Sequence, residues 1–553
     1  MEHKKSELGF ISKTQKTRLS AMNKHPVKRR REDDDGSAIA MDRLSQMPQP
    51  ILHNILSLLS QRDAIRTCVL SKSWRYLWHG RYNFELRGDD YFFDRIKEFW
   101  SFVDKTLQRY LDQNLSLQKF LVDIHYKVDF VLLKKWIPLL IMNMGISSFT
   151  LIFYCSKLFP LPLVVFQSES LVELHLQQCD LRTLKSADNV KLNNLQTLRL
   201  HIVDITDEIF EKIISSCPLI DNLDLYMCSG LKSIKLHKHH NIKDFACWVS
   251  DDQTIIEFED PHPLESVCIQ NCLKCYLRHK NMHFTHLKSL DLYRVHLPVE
   301  TFDNFSSFFP CLSELILYSC DGLKEFLLSS SSIKRLILKM DQRDRIKAFI
   351  DTPNILYFEY SCYGEGVLPS IKFTTTSNEW KSNISLSYKL KPSGKDTTSW
   401  FLKLNKLLTA LSQSHITLNL FCSKCKKLDI NGYYGGFYKK VKPVVVEDFK
   451  LFRCLSPPSG PVIFDCFFRI CRPRFIHIEE SANNELVEFI CNLIPKEKGS
   501  YSWLQDLEEV SIEFREMIED GWHWVQTTSL PEPPNRPQIR FRLTWREQLS
   551  KFT

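Results

Sequence analysis

Between about Leu117 and Cys362 the chain repeats one apolar pattern, LxxLxL, and this constrains its fold more than any other feature. The pattern occurs as Ile146-Phe149-Leu151, Leu171-Leu174-Leu176, Leu195-Leu198-Leu200, Ile220-Leu223-Leu225, Leu264-Val267-Ile269, Leu287-Leu290-Leu292, Leu312-Leu315-Leu317 and Ile355-Phe358-Tyr360. Its first positions are spaced 25, 24, 25, 44, 23, 25 and 43 residues apart, so each long gap holds two units of about 22. The alternating final three positions put two apolar side chains on one face of a strand. One such strand cannot bury its face alone, and units of this period do so by stacking on their neighbours. Weaker units fill the gaps, Leu231-Ile234-Leu236 with Ile242-Phe245, and Leu323-Phe326-Leu328 with Ile333-Leu336-Leu338. Their closer spacing predicts strands on both flanks of a coil.

Cysteine falls three residues after the last aliphatic position in four units, at Cys179, Cys228, Cys272 and Cys320, and Val203 and Val295 hold the same slot in two more. A small side chain suits the bend at a strand end, so these cysteines read as packing residues. That removes one tempting metal site, Cys272, Cys275, His279, His283 and His286, whose spacing also lacks the about 12 residues a two-Cys two-His finger keeps between its pairs. Cys422 and Cys425 have no second pair at finger or ribbon spacing. The sequence therefore implies no metal and no cofactor. Eighteen cysteines scattered over 553 residues do not make a disulfide scaffold. No apolar signal core opens the chain and no run approaches the ~20 apolar residues of a membrane helix, so the expectation is an intracellular protein with reduced thiols.

The formal charge is +8, which invites a nucleic-acid reading. Its location withdraws the invitation. Met1 to Arg31 holds ten basic and two acidic residues, and the remaining 522 residues balance at 63 of each sign. A DNA-binding fold would carry its excess on a structured face rather than in a tail poor in apolar residues. The tail's KHPVKRRR, ending in Lys28, Arg29, Arg30 and Arg31, suits an extended nuclear-import signal, so the expected location is nuclear, cytoplasmic or both.

From Met41 the composition shifts. After Pro48 and Pro50, Ile51, Leu52, Ile55, Leu56, Leu58 and Leu59 recur at helical spacing. Ala64, Ile65, Cys68, Val69 and Leu70 predict a second short helix, and Trp74, Leu77 and Trp78 a third capped by Ser71. So many large apolar residues in so small a unit imply a partner surface. The stretch resembles a plant-type F-box, through Asp42-Arg43-Leu44-Ser45, Pro48, Ile51-Leu52, Ile55-Leu56, Leu59, Ala64, Thr67, Val69-Leu70-Ser71-Lys72, Trp74-Arg75 and Leu77-Trp78. It departs at Met47, where the family usually has Leu, and at Ser73, where it often has Arg. The resemblance implies docking on the Skp-type adaptor of an SCF ubiquitin ligase. Pro48 would start the docking helix, Leu52, Ile55, Leu56 and Leu59 would fill the adaptor's groove, and Val69, Leu70, Trp74 and Leu77 would pack the helices and extend the contact, as in helix-in-groove recognition.

The repeats resemble the irregular leucine-rich repeats of plant F-box proteins. The expected fold is thus α/β, an N-terminal all-helical F-box followed by an irregular leucine-rich-repeat solenoid. The expected organisation is a disordered basic tail (1–40), F-box (41–86), helical linker (87–116), leucine-rich repeats (117–430) and a poorly assigned C-terminal region (431–553) into which the repeats can continue. In that last third, FTTTSNEWKSNISLSYKLKPSGKDTTS reads as a loop, FLKLNKLLTALSQ as a helix, HITLNLF as a strand, Glu485 to Ile494 as a helix and LEEVSIEF as a strand. Variable positions between the leucines, His175, Arg199, Asp224, Asp291, Tyr293 and Arg294, are the candidate substrate-binding residues. No GxGxxG, P-loop, HExxH or GxSxG stands in the chain, and the implied role is non-catalytic: the substrate-recognition subunit of an SCF ubiquitin ligase, binding a protein target and neither nucleic acid nor membrane. A non-degradative scaffold or a small-molecule co-receptor on the same adaptor are the alternatives.

Overall fold

A computed structural model describes residues 47–546 apart from 60, 71–73, 75–76, 78–80, 88–95, 126–127, 185–188, 237–240, 252, 259–262, 277–282, 298–301, 303, 341–345, 363–367, 378, 389–393, 423–440, 453–459, 479–501, 519–520 and 528–538. The basic tail with Lys28 to Arg31, and the helix expected over Glu485 to Ile494, lie outside the described residues.

The chain begins with helices Gln49–Leu58 and Gln61–Arg66 and a 3-10 turn Thr67–Val69. Leu52, Leu56, Ala64, Trp74 and Leu77 close on one another as a small separate core, with Ile55, Leu59 and Phe102 partly buried against it. Phe102 belongs to the 17-residue helix Ile96–Asp112, so the linker predicted from the aromatic-rich segment touches both halves of the molecule. Its Asp104 holds the next helix, Phe130–Met144, accepting from Trp136 Nε1 at 2.8 Å and Lys135 Nζ at 2.9 Å. That helix is started by Asp129, whose carboxylate accepts from the Leu132 amide, and ended by Gly145 at φ 62°.

The repeats build a mixed α/β body around a 19-stranded sheet. Its strands run Asn83–Arg87, Lys119–Ile124, Ser148–Phe153, Glu173–Gln177, Thr197–His201, Asn222–Tyr226, Asp244–Trp248, Ser266–Gln270, Ser289–Tyr293, Glu314–Tyr318, Arg335–Met340, Tyr357–Cys362, Lys381–Tyr388, His415–Cys422, Val444–Phe452 and Cys471–Ile478, each parallel to the one before. The register never slips between repeats: Leu174, Leu198, Leu223, Phe245, Val267, Leu290, Leu315, Leu336 and Phe358 form one row, all buried. A one-residue slip would turn every leucine to solvent, which fixes this alignment. Each gap divides between the two flanks, as the spacing predicts: Phe245 and Leu336 join the large sheet, while Ile234 and Phe326 lie on the other flank, where Ser233–Leu236, Ile255–Phe258 and Lys274–Tyr276 form one three-stranded parallel sheet, and Glu325–Ser329, Lys347–Asp351 and Ser370–Thr374 another.

The bend after each strand explains the cysteine slot. Gln178, Ile202, Met227, Asn271, Arg294 and Ser319 all adopt positive φ, between 48° and 60°, immediately after the strand. The next residue then points into the core. Cys228 Sγ donates to Leu200 O at 3.1 Å and Cys320 Sγ to Leu292 O at 3.3 Å, the same role four strands apart. Two residues further on, Gly230 and Gly322 have φ 91° and 94°, and a Cβ there would stand 2.4 and 2.0 Å from a carbonyl oxygen.

Two expectations need correction. Asn83–Arg87, assigned by sequence to the all-helical N-terminal unit, is the first strand of the large sheet, its Phe84 and Leu86 buried and Phe84 stacked on Phe120 at 5.6 Å. Lys381–Tyr388, within the segment read as a loop, is a strand paired on both sides. Its serines hide the pattern, yet the buried Ser382 is bonded to Ser414 Oγ at 2.6 Å and Ser385 accepts from Asn419 at 3.0 Å. The sheet ends by reversing direction: Ile539–Trp545 pairs antiparallel with Cys471–Ile478 and with Leu507–Ile518, which pairs in turn with Gly521–Thr527.

Candidate functional site

Two surfaces carry the candidate residues. On the first, helix Gln49–Leu58 starts directly after Pro48 with Pro50 in its first turn, as a proline-marked start requires. Its apolar residues divide between two sides. Leu52 and Leu56, expected to fill a partner's groove, are 2% and 0% exposed and belong to the unit's own core with Trp74 and Leu77. Ile55 and Leu59 sit half-buried at its margin. Among the described residues of this unit, the aliphatic side chains most exposed to solvent are Ile51 (46%), Leu58 (87%), Val69 (87%) and Leu70 (56%). Val69 and Leu70 were anticipated as contact residues, whereas Ile51 and Leu58 were not. Their signal is an i, i+7 pair flanking the inner stripe, on a helix too apolar for the pattern alone to tell inside from outside. This unit is fastened to the sheet: the buried Arg81 donates through Nη2 to Leu59 O at 2.8 Å, and its own carbonyl accepts from Tyr110 OH at 2.8 Å.

The second surface is the side of the large sheet turned away from the core. His175, Arg199, Asp224 and Asp291 occupy one register row, Tyr293 the adjoining row, and Arg294 the bend that follows. His175 is more enclosed than an outward position suggests. Burial, and then the neighbouring His201 and Arg199 charges, push its imidazole down to about 4, and its ring meets His201 edge-on at 4.7 Å. His201 Nε2 in turn lies 3.0 Å from Asp224 Oδ2. Of the adjoining row the sequence reading took only Tyr293: His201, Tyr226, Trp248, Tyr318 and Lys339 follow the second core-facing residue of each strand and were visible there as a run of large side chains. Tyr293 and Tyr318 stack at 4.2 Å, and Lys339 pairs with Glu359 at 3.3 Å.

At the C-terminal end, a groove of about 760 Å³ is lined by Lys442, Arg472, Arg474, Arg542, Arg546 and Trp545 among others. Most of these cations are engaged, Arg472 with Asp506 at 2.7 Å and Arg474 with Glu447 at 3.1 Å. Beside it, Arg540 lies 4.2 Å from the rings of both Phe475 and Trp524 and pairs with Glu513 at 2.5 Å.

Of the Cys/His run considered as a metal site, Cys272 is buried with its thiol on Thr254 O at 3.5 Å, and Cys275 is buried with its thiol raised by desolvation. His283 stacks on Phe308 at 5.4 Å. His279 and Cys425 lie outside the described residues. Among the described residues no three His, Cys, Asp or Glu side chains converge as a metal site, and no helix is long and apolar enough to cross a membrane.

Comparison with known proteins places likenesses on both parts of the chain. Residues 44–86 match the F-box domain, and residues 133–278 match the leucine-rich repeats of the family described as FBD-associated F-box protein At5g56370. Among curated proteins of Arabidopsis thaliana, F-box/LRR-repeat protein At3g59200 is 35% identical over 199 residues, 34% of this chain and 37% of that protein. F-box protein At1g60400 is 29% identical over 252 residues, 42% of this chain and 58% of its own length. F-box/LRR-repeat protein 13 is 29% identical over 226 residues, 39% and 48% respectively. The chain thus spans between about a third and three fifths of these relatives.

Proposed function

Because the chain is an F-box/leucine-rich-repeat protein of the plant type, we propose that it serves as the target-recognition subunit of an SCF ubiquitin ligase. Its F-box docks on a Skp-type adaptor, the repeats stack as a solenoid whose outer sheet face holds a protein target, and ubiquitin transfer is catalysed by other subunits. The observation that carries this reading is the division of the first helix. A unit with a complete small core still leaves Ile51, Leu58, Val69 and Leu70 in water. Exposed apolar side chains grouped on one small unit mark an interface rather than a core defect. Helix-in-groove recognition uses such a face, with the buried leucines holding the helix in shape behind it.

The burial pattern supplies a discriminating experiment. Leu58→Asp with Val69→Asp changes only exposed positions, so the variant should melt within a few degrees of the wild type and lose about tenfold or more in recovery of the co-expressed adaptor. Leu56→Asp puts a charge in the core and should cost both folding of the unit and recovery. Undiminished adaptor recovery with the Leu58/Val69 variant would refute the docking face.

A further inference from the structure

The outer face of the large sheet changes character over strands Asn222–Tyr226 to Glu314–Tyr318. One register row there reads Asp224, Ala246, Cys268 and Asp291, and the adjoining row reads Tyr226, Trp248, Gln270, Tyr293 and Tyr318. The rings touch in succession: Tyr226 and Trp248 at 4.8 Å, Trp248 and Tyr293 at 6.4 Å, Tyr293 and Tyr318 at 4.2 Å. Trp248 and Tyr293 stand two strands apart, about 10 Å at ordinary strand spacing. Their rings therefore lean toward each other over Gln270 and make one unbroken aromatic ridge. Alongside it, the small side chains Ala246 and Cys268 leave a channel one residue wide, with a carboxylate at each end.

The two carboxylates are not alike. Asp224 faces His201 Nε2 at 3.0 Å. Asp291 has no lysine or arginine at ion-pair distance among the described residues; its side-chain partner is the Cys268 thiol at 3.8 Å, a weak donor. Asp291 is half-buried, and burial raises its carboxyl above the usual range. Lys339 acts on it only from beyond ion-pair distance and is itself paired with Glu359, and a partly desolvated carboxylate with no cation in contact carries a cost that a bound cation reduces. The aromatic ridge adds attraction for the same charge, and Arg294 already lies 5.6 Å from the Tyr293 ring. An apolar stem suits the Ala246–Cys268 floor, as the methylenes of lysine and arginine lie along apolar surface.

We infer that this channel receives a lysine or arginine side chain from an extended segment of the target protein, its stem on Ala246 and Cys268 and its cation at Asp291 against the Trp248–Tyr293 ridge. The inference rests on the repeats being the target-binding part and specifies the chemistry of what they bind. Acidic segments are turned away by the same two carboxylates.

The test is selection of a displayed library of random 12-residue peptides on the full chain co-purified with a Skp-type adaptor. Binders should be enriched severalfold in lysine and arginine over the starting library, and individual binders should weaken about tenfold on Asp291→Asn and on Tyr293→Ala. Asp291→Lys should shift selection toward acidic peptides, which a merely structural role would not do. Thermal melting of each variant with its adaptor establishes that it is folded; should Tyr293→Ala fail, the near-isosteric Asp291→Asn carries the test. Acidic or uncharged binders, no binders, or basic binders indifferent to Asp291→Asn each overturn the inference. Acidic or uncharged binders displaced by changes on this sheet face would leave the receptor reading standing, whereas loss of adaptor recovery by the wild-type chain would remove that reading instead.

Discussion

His175 shows how one side chain's surroundings set its chemistry. It alternates with leucines and so faces outward, yet it is largely buried beside His201 and Arg199 of the next strand, and burial with those charges holds its imidazole at about 4. The depressed value has a definite consequence for stability. The unfolded chain takes up a proton near the ordinary value of about 6.5, while the folded chain resists until about 4, so stability present above 6.5 is lost as the pH falls toward 4. Urea unfolding at pH 7 and pH 5 should differ by about 2 kcal/mol from this residue, and His175→Gln should remove that share of the difference. An unchanged pH dependence in the variant would show that the imidazole is solvated. The bends are a second residue-scale feature. Ile202 at φ 51° is a β-branched residue in the left-handed region, held there by a repeat geometry that Gln178, Met227 and Arg294 share. No sequence pattern announced those angles, since glycine and asparagine, their usual markers, are mostly absent from the slot.

Among the elements, helix Gln49–Leu58 and strand Lys381–Tyr388 hide their surroundings from the sequence for opposite reasons. The helix is so apolar that its stripe covers both an inner and an outer side, and only the packing of Ala64, Trp74 and Leu77 on Leu52 and Leu56 separates them. The strand is so polar that its periodicity disappears, and its serines and Asn383 are acceptable only because neighbouring strands supply Ser414 and Asn419 as partners. The junction between the F-box and the sheet depends on Arg81, whose guanidinium satisfies the Leu59 carbonyl beyond the helix end. Arg81→Met preserves bulk but deserts that carbonyl, at a cost of about 1 to 3 kcal/mol. Amide exchange over residues 49–66 should accelerate by about tenfold or more, with the strands from Thr197–His201 onward unaffected. Uniform exchange throughout the chain in this variant would mean that the two parts are not joined through Arg81.

Across the whole molecule, one continuous apolar core runs beneath the large sheet, while the F-box keeps a core of its own. Such a stack makes a long surface from short local pairings, and the sheet stops where the three antiparallel strands end the succession of parallel repeats. The net charge of +8 belongs to none of this, since it resides entirely before Glu32. We propose that Lys28 to Arg31 direct nuclear import; deleting them should lower the nuclear fraction of a fluorescent fusion severalfold, and an unchanged distribution on imaging would count against the signal. By itself the sequence determined the repeat period, the strand alternation, the cysteine slots and the apolar helix after Pro48, because each is a local periodicity that the backbone converts directly into a buried face. The tertiary structure decided which apolar residues of the first helix stay outside, that a serine-rich segment is a strand, and that aromatic side chains 22 to 45 residues apart join into one ridge beside Asp291, which has no ion-pair partner among the described residues. Those outcomes depend on which segments become neighbours across the stack, and burial, hydrogen-bond satisfaction and charge pairing acquire values only once those neighbours are in place.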